Sequence, residues 1–254
     1  MRVITWNLQR GRRDPAPAAT ALFELAGDVL VLTEFRTNPQ GLALVKKLSE
    51  TGYPYSLFLN GYDKVSGVLA VSRTPIEQLP EVGISELPNR WLHFRTETGN
   101  IEYLGIYLNG ALIATETLAQ KQAFWDAILA SAGRMVDRRA IILGDLNTGQ
   151  HLIDEEHATF RCSKSFRAVS ESGWIDAFRL LHGDRKAWSW WSTVRGFRLD
   201  HAFVSPSLAS SVKRAEYVWR TSTQVLAHDA KRPWEQDWGK AISDHAALCV
   251  DLDV

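Results

Sequence analysis

The sequence predicts an α/β (α+β) chain in which two packed β-sheets carry helices on their outer faces. The first observation behind this is a succession of short apolar runs bounded by turn residues, each of strand length. The second is that only a few helical segments interrupt them, without the regular strand–helix alternation of a parallel sheet. The third is size: 254 residues, 45% of them hydrophobic, can bury a large core. No repeat, low-complexity tract or linker divides the chain, so residues 1–254 read as a single domain.

The elements follow in order. Val3-Ile4-Thr5-Trp6-Asn7 has a strand pattern and ends on Asn7. Asp14-Pro15 supplies an N-cap and first-turn proline for a helix to Ala26, stopped by Gly27. Asp28 to Glu34 is a second apolar strand, ending on Glu34. A helix is expected from Pro39 to Thr51, closed by Gly52, and strands near Tyr55–Leu59, Gly67–Ser72, Trp91–Arg95 and Ile101–Leu108. Leu118 to Ala132 is an amphipathic helix, with Phe124, Trp125, Ile128 and Leu129 in its apolar stripe. Ile141-Ile142-Leu143 reads as a buried strand after which Gly144 lets the backbone turn, projecting Asp145 and Asn147 to one side. Short helices are expected over Ser165–Ser172 and Ile175–His182. Arg198 to Val204 is a further strand containing Asp200 and His201, and Ser243-Asp244-His245 opens the last, from His245 to Val250.

Composition excludes several classes. Lys and Arg number 29, as do Asp and Glu, so the formal charge is zero and no global footprint for nucleic acid exists. The cysteines, Cys162 and Cys249, imply neither a disulfide framework nor a thiolate metal site. The first strand begins at residue 2, leaving no room for a signal peptide, and no apolar run approaches membrane-spanning length. A cytoplasmic, monomeric protein with no membrane partner is the expectation. No serine or cysteine nucleophile motif stands out, so covalent catalysis lacks support.

Polar groups recur where the apolar runs end: Asn7, Glu34, Asp145-x-Asn147, Asp200 and Asp244-His245. Each alone has an ordinary explanation as a turn former, an edge charge or a core histidine. Asn7 and Glu34 are hard oxygen donors that suit Mg²⁺ or Mn²⁺ rather than Zn²⁺. A carboxylate and a carboxamide fixed at a strand end suit water activation and transition-state hydrogen bonding. Taken together and in this order, the groups resemble the endonuclease/exonuclease/phosphatase superfamily, which has the DNase I-like fold. The resemblance runs from Trp6-Asn7 to Ser243-Asp244-His245. It is closest to the exonuclease III and abasic-site endonuclease branch, through residues 66–73, Leu143-Gly144-Asp145-Leu146-Asn147 and Gly196-Phe197-Arg198-Leu199-Asp200.

The resemblance implies a four-layer sandwich of two mainly antiparallel sheets flanked by helices. It implies Glu34 as the main metal carboxylate with Asn7 beside it, and Asp244 on the metal side. Asp145 becomes the group that orients and deprotonates the attacking water, with Asn147 bonding the nucleophile or the phosphorane. His245 is protonated and partnered by Asp200, and Tyr107 matches the phosphate-contacting tyrosine, with Asn109 nearby. Thr33 stands where the family usually has Gln, and Leu108 replaces the usual proline after the tyrosine. His201 occupies a place that abasic-site enzymes commonly fill with an aromatic residue, and the stretch from Trp191 to Phe197 is shorter than theirs.

Substrate must be read from the rim. Arg10, Arg12 and Arg13 follow Asn7 closely and could hold flanking phosphates, or form a solvated loop. Trp190 and Trp191, continued by Phe197 and Leu199, could line a sugar pocket or be core. Residues 220–242 form a long aperiodic stretch with Lys231, Arg232, Trp234, Trp238 and Lys240, suited to a loop overhanging the site. The expected function is a metal-dependent phosphodiester hydrolase acting on DNA. A small-molecule phosphatase or lipid phosphodiesterase would use the same centre, and a non-catalytic binding module is the third possibility.

Overall fold

The computed structural model describes residues 1–9, 14–80, 87–108, 118–192, 194–228 and 241–254. Two six-stranded sheets form its centre. The first runs in space β13 (Val212–Val218), β14 (Ala247–Leu252), β1 (Arg2–Asn7), β2 (Val29–Phe35), β4 (Gly67–Ser72), β3 (Tyr55–Phe58). The second runs β5 (Ile76–Gln78), β6 (Trp91–Thr96), β7 (Ile101–Tyr107), β8 (Ala140–Asp145), β12 (Asp200–Val204), β9 (Ile175–Asp176). Trp190–Trp191 (β10) and Gly196–Phe197 (β11) make a separate small ribbon. Only the β1–β2 and β7–β8 pairs are parallel among these strands.

Alternation along the strands explains the layers. Val3, Val29, Val31, Ile141, Leu143 and Val250 point between the sheets and form one apolar core. Their neighbours Ile4, Trp6, Leu30 and Leu32 point outward beneath helices α1 (Pro15–Leu25) and α2 (Pro39–Glu50). On the second sheet Ile106, Ile142 and Phe203 face α3 (Leu118–Met135) and α4 (Ser163–Glu171). The result is the four-layer sandwich expected. Because both faces of the central strands are buried, they read as continuous apolar runs instead of an alternation. No helix among the described residues is long and apolar enough to cross a membrane.

Several local expectations shift. Asp14 caps α1 by accepting from the Ala16 N–H at 3.0 Å, but the helix closes on Ala26 in a left-handed conformation, one residue before Gly27. The fourth helix starts earlier than its apolar pattern suggested. Ile175 and Asp176 pair with β12, so α5 spans only Ala177–His182, with Asp176 as its cap. The last strand begins at Ala247, which leaves His245 just outside the regular ladder.

Gly144 is not a turn residue. It lies inside β8, opposite Ile106 and His201, with φ at +140°. A Cβ there would sit 1.9 Å from the Ile106 carbonyl oxygen, so glycine is required for the approach of β7. The turn comes after Asp145, at Asn147, whose φ is +43°.

Strand register gathers polar side chains on one edge. Tyr107 lies opposite Asp145 across the β7–β8 pair, and Asp145 lies opposite Asp200 across β8–β12. In the facing sheet Asn7 pairs with Thr33, next to Glu34.

Candidate active site

Glu34 owes its position to an irregularity. The β2–β4 register slips between Thr33 and Phe35, and Glu34 at the slip adopts a left-handed φ of +55°. A bulge of this kind re-aims a side chain out of the ladder, and non-glycine residues held at positive φ concentrate at functional sites. Glu34 Oε1 accepts from Asn7 Nδ2 at 3.3 Å and from the Tyr107 hydroxyl at 3.2 Å. Tyr107 is buried, and burial followed by the charges of Glu34 and Asp145 drives its pKa far upward, so it remains a neutral donor. Thr33, which stands where glutamine was expected, is fully buried, and its hydroxyl has no hydrogen-bond partner among the described residues.

Asn7 joins the two acids. Its Nδ2 also donates to Asp145 Oδ2 at 2.8 Å, and its Oδ1 accepts from the Gln9 N–H. It therefore turns its amide nitrogen, not its oxygen, toward the carboxylates. Asn147 approaches Asp145 from the other side. Its Nδ2 lies 2.9 Å from both Asp145 oxygens and 2.7 Å from the Leu108 carbonyl, while its N–H donates to Asp145 Oδ1. Buried Lys121 fixes this turn by donating to the Asn147 carbonyl at 2.8 Å.

Opposite them stands the second pair. His245 Nδ1 meets Asp200 Oδ2 at 2.7 Å, with both side chains nearly inaccessible. Burial alone would lower the imidazole pKa, but the Asp200 charge and hydrogen bond, with Asp145 and Asp244 behind, raise it to about 10. The ring is therefore an imidazolium at neutral pH, with Nε2 as its remaining donor. Asp145 is pushed well above the ordinary carboxylate range, first by burial and then by the Asp200 charge.

Asp145, Asp200 and His245 offer ligand atoms within 4.8 Å of one another and could hold a cation. Since His245 is engaged with Asp200 and holds its proton, the carboxylate oxygens are the better donors. Asp200 Oδ1 is buried without a hydrogen-bond partner among the described residues. Such a concentration of hard, negatively charged oxygens fits a small divalent cation.

The remaining predicted residues divide. Asp244 is half-buried, and its Oδ2 accepts from the Trp190 indole N–H at 3.0 Å. Trp190 and Phe197 are half-buried and in contact, and Trp190 also lies 6.4 Å from the His245 ring. Trp191 packs edge-on against Trp188, while Leu199 is buried. His201 packs on Phe166 in the core. Arg10, Arg12, Arg13, Asn109, Lys231, Arg232, Trp234, Trp238 and Lys240 lie outside the described residues.

Sequence reasoning missed a supporting shell. Ser243 Oγ donates to the Asn7 carbonyl and accepts from the His245 N–H. The Tyr217 hydroxyl donates to the Asp200 carbonyl at 2.6 Å. Arg198, fully buried, reaches Asp154 and Asp176 at 2.6 Å each. Only the charge of Arg198 inside a strand pattern signalled a buried partner.

Two packed sheets with acids, amides and an imidazolium on one edge define the DNase I-like class. The profile of the Endonuclease/Exonuclease/phosphatase family matches residues 4–245, and the chain belongs to this family of phosphoric-ester hydrolases. No curated protein sequence gives a significant match. Among solved structures, an AP endonuclease from Archaeoglobus fulgidus superposes with a TM-score of 0.80 at 18% identity, both chains covered in full. The 3′ phosphatase NExo from Neisseria, bound to a product DNA hairpin, and the 3′-5′ exonuclease NExo from Neisseria meningitidis each superpose with a TM-score of 0.78 at 20% identity, again over whole chains. At these identities the likeness is one of fold.

Proposed function

We propose that the protein is a divalent-metal-dependent phosphodiester hydrolase acting on DNA, similar to exonuclease III and the abasic-site endonucleases. The observation that carries this is the facing of the Asp145–Asn147 and Asp200–His245 pairs beside Glu34 and Asn7 on one sandwich edge. The structural neighbours, an AP endonuclease and a 3′ phosphatase bound to a product DNA hairpin among them, support the choice of substrate.

The roles follow from the contacts. Glu34 would hold Mg²⁺ or Mn²⁺, with Asn7 and Asp244 beside it. When bound, the ion supplies charge neutralisation at a phosphate oxygen and at the leaving oxyanion. Burial raises the Asp145 pKa, so its ionised form is a stronger base toward water than an exposed aspartate. Both its oxygens are covered by the amides of Asn7 and Asn147, so a nucleophilic water would have to displace one of those donors to reach it. Asn147 then donates to the nucleophile or the phosphorane. His245, held by Asp200 through Nδ1, donates from Nε2 to a phosphate oxygen as charge accumulates there.

The test is hydrolysis of an abasic-site duplex, its intact control, single-stranded DNA, 3′-phosphate DNA and a simple diester, with Mg²⁺ or Mn²⁺ and with chelator. Metal-dependent cleavage of at least one DNA is expected. Cleavage of the simple diester alone would move the protein to the small-molecule reading, and no hydrolysis at all ends the proposal. Asp145→Ala should stay folded and lose activity by about three orders of magnitude or more. Retained turnover would place water activation elsewhere.

A further inference from the structure

The segment from Trp188 to Trp190 lies beside the site, and its middle residue is Ser189, fully buried between two half-exposed tryptophans. Period-two alternation puts the serine on the inner face and both indoles on the outer one. Every polar atom of Ser189 is committed. Its N–H donates to the Phe197 carbonyl at 2.8 Å, and its carbonyl accepts from the Ala246 N–H at 2.8 Å. Its Oγ accepts from the Leu199 N–H at 2.9 Å and the Asp200 N–H at 3.1 Å. One residue thus binds the backbone of Asp200 on one side and the residue after His245 on the other. Trp190, the next residue, bridges to His245 and donates to Asp244.

We propose that Ser189 is a positioning residue for the Asp200–His245 pair, setting the separation and tilt of the two side chains from behind. The inference rests on the hydrolase reading for its kinetic consequence but not for its structural one. Asp200 starts β12 and His245 precedes β14, so neither side chain is held by a regular ladder on both sides. The Ser189 hydroxyl and carbonyl supply the missing acceptors, and a pair fixed by hydrogen bonds behind it keeps the orientation that catalysis requires.

Ser189→Ala removes the acceptor of both amide protons without adding volume. Turnover is expected to fall about tenfold or more with KM within about twofold, since the loss is of geometry at the reacting centre. Ser189→Thr keeps the hydroxyl and should restore turnover. Tyr53→Phe, which deletes a buried hydrogen bond to the Gly27 carbonyl beneath the outer helices, controls for general destabilisation and should leave turnover unchanged.

A second readout needs no metal and no substrate. The proton between His245 Nδ1 and Asp200 belongs in the far-downfield region of a proton NMR spectrum. It should shift or broaden in metal-free Ser189→Ala and keep its position in Ser189→Thr and Tyr53→Phe. Should Ser189→Ala fail to fold, Ser189→Cys, similar in shape but a weak acceptor, is read in the same way. An unchanged resonance in a folded variant overturns the proposal, as does turnover equal to wild type. If the wild-type protein hydrolyses nothing, the hydrolase reading fails while the resonance still decides whether Ser189 orients the pair.

Discussion

Arg198→Leu should be a costly change behind the site. The guanidinium is fully buried, with Nε on Asp154 Oδ1 at 2.6 Å and a two-pronged contact to Asp176 at 3.1 and 2.6 Å. Leucine has no charge to offer. Asp154 would keep Arg179 and the Gln150 N–H, whereas Asp176 would keep the N–H groups of Phe178 and Arg179 and the more distant His201 Nδ1 at 3.8 Å. Removing one member of a buried ion pair costs about 3–5 kcal/mol, and these residual partners argue for the lower end. At roughly 3 kcal/mol per molar urea, the midpoint should fall by about 1 M at pH 7. The pH dependence gives a sharper criterion. Burial would raise the Asp176 and Asp154 pKa values, but the Arg198 charge, aided by His201, holds both below the usual range. Depressed acids stabilise the fold above their unfolded pKa, near 3.9, and lose that contribution as pH falls below it. The variant lacks this contribution from the start, so the gap between the two proteins should be widest at neutral pH and narrow in acid. Urea unfolding followed by circular dichroism at pH 7 and near pH 3 measures both. A midpoint shift under about 0.3 M at pH 7, or a gap that stays constant in acid, would refute the reasoning.

Gly144→Ala should abolish soluble expression or cost about 3 kcal/mol or more, because the new Cβ meets the Ile106 carbonyl at 1.9 Å in a backbone that L-residues avoid. A thermal midpoint within a few degrees of wild type would show that β7 can move aside. Glu34→Gln keeps the size and one acceptor but not the charge, so Mn²⁺ affinity should fall at least about tenfold by calorimetric titration with a fluorescent DNA duplex present. Equal affinity would remove Glu34 from the metal side. Chelation should stop hydrolysis in the wild type, and Mg²⁺ or Mn²⁺ should restore it.

The residues of the candidate site were legible where polar groups sit at the end of an apolar run. Asn7, Glu34, Asp145, Asn147, Asp200 and His245 each follow or start a strand whose apolar character is strong, and the register of those strands brings the groups to one edge. The apolar runs also pointed to the layering, since strands buried on both faces have few polar positions. What was not legible depends on partners distant in sequence. Ser189 matters because of Ala246, and Arg198 because of Asp154 and Asp176, and no local pattern encodes those meetings. Short edge strands such as β5 and the polar β13 lack an apolar run to announce them. The glycine of Gly144-Asp145-Leu146-Asn147 was read as a turn, because close backbone approach and turning select the same residue.

That same edge explains why the fold needs its buried network. Glu34 and Asn147 sit at positive φ, each costing about 1–3 kcal/mol, and Asp145 and Asp200 lie buried in direct register. Neighbouring acids with one imidazolium between them repel each other, which is why Asp145 is driven toward its protonated form. An edge like this is unstable by itself and persists because the surroundings over-determine it. Lys121 holds the Asn147 carbonyl, Tyr217 the Asp200 carbonyl, Ser243 the Asn7 carbonyl, and Arg198 anchors the residues just before Asp200. None of these groups needs to touch substrate. Their common effect is to keep backbone carbonyls and strand ends fixed while the acids outnumber the one imidazolium, which leaves an excess of negative charge on the edge that a cation could offset.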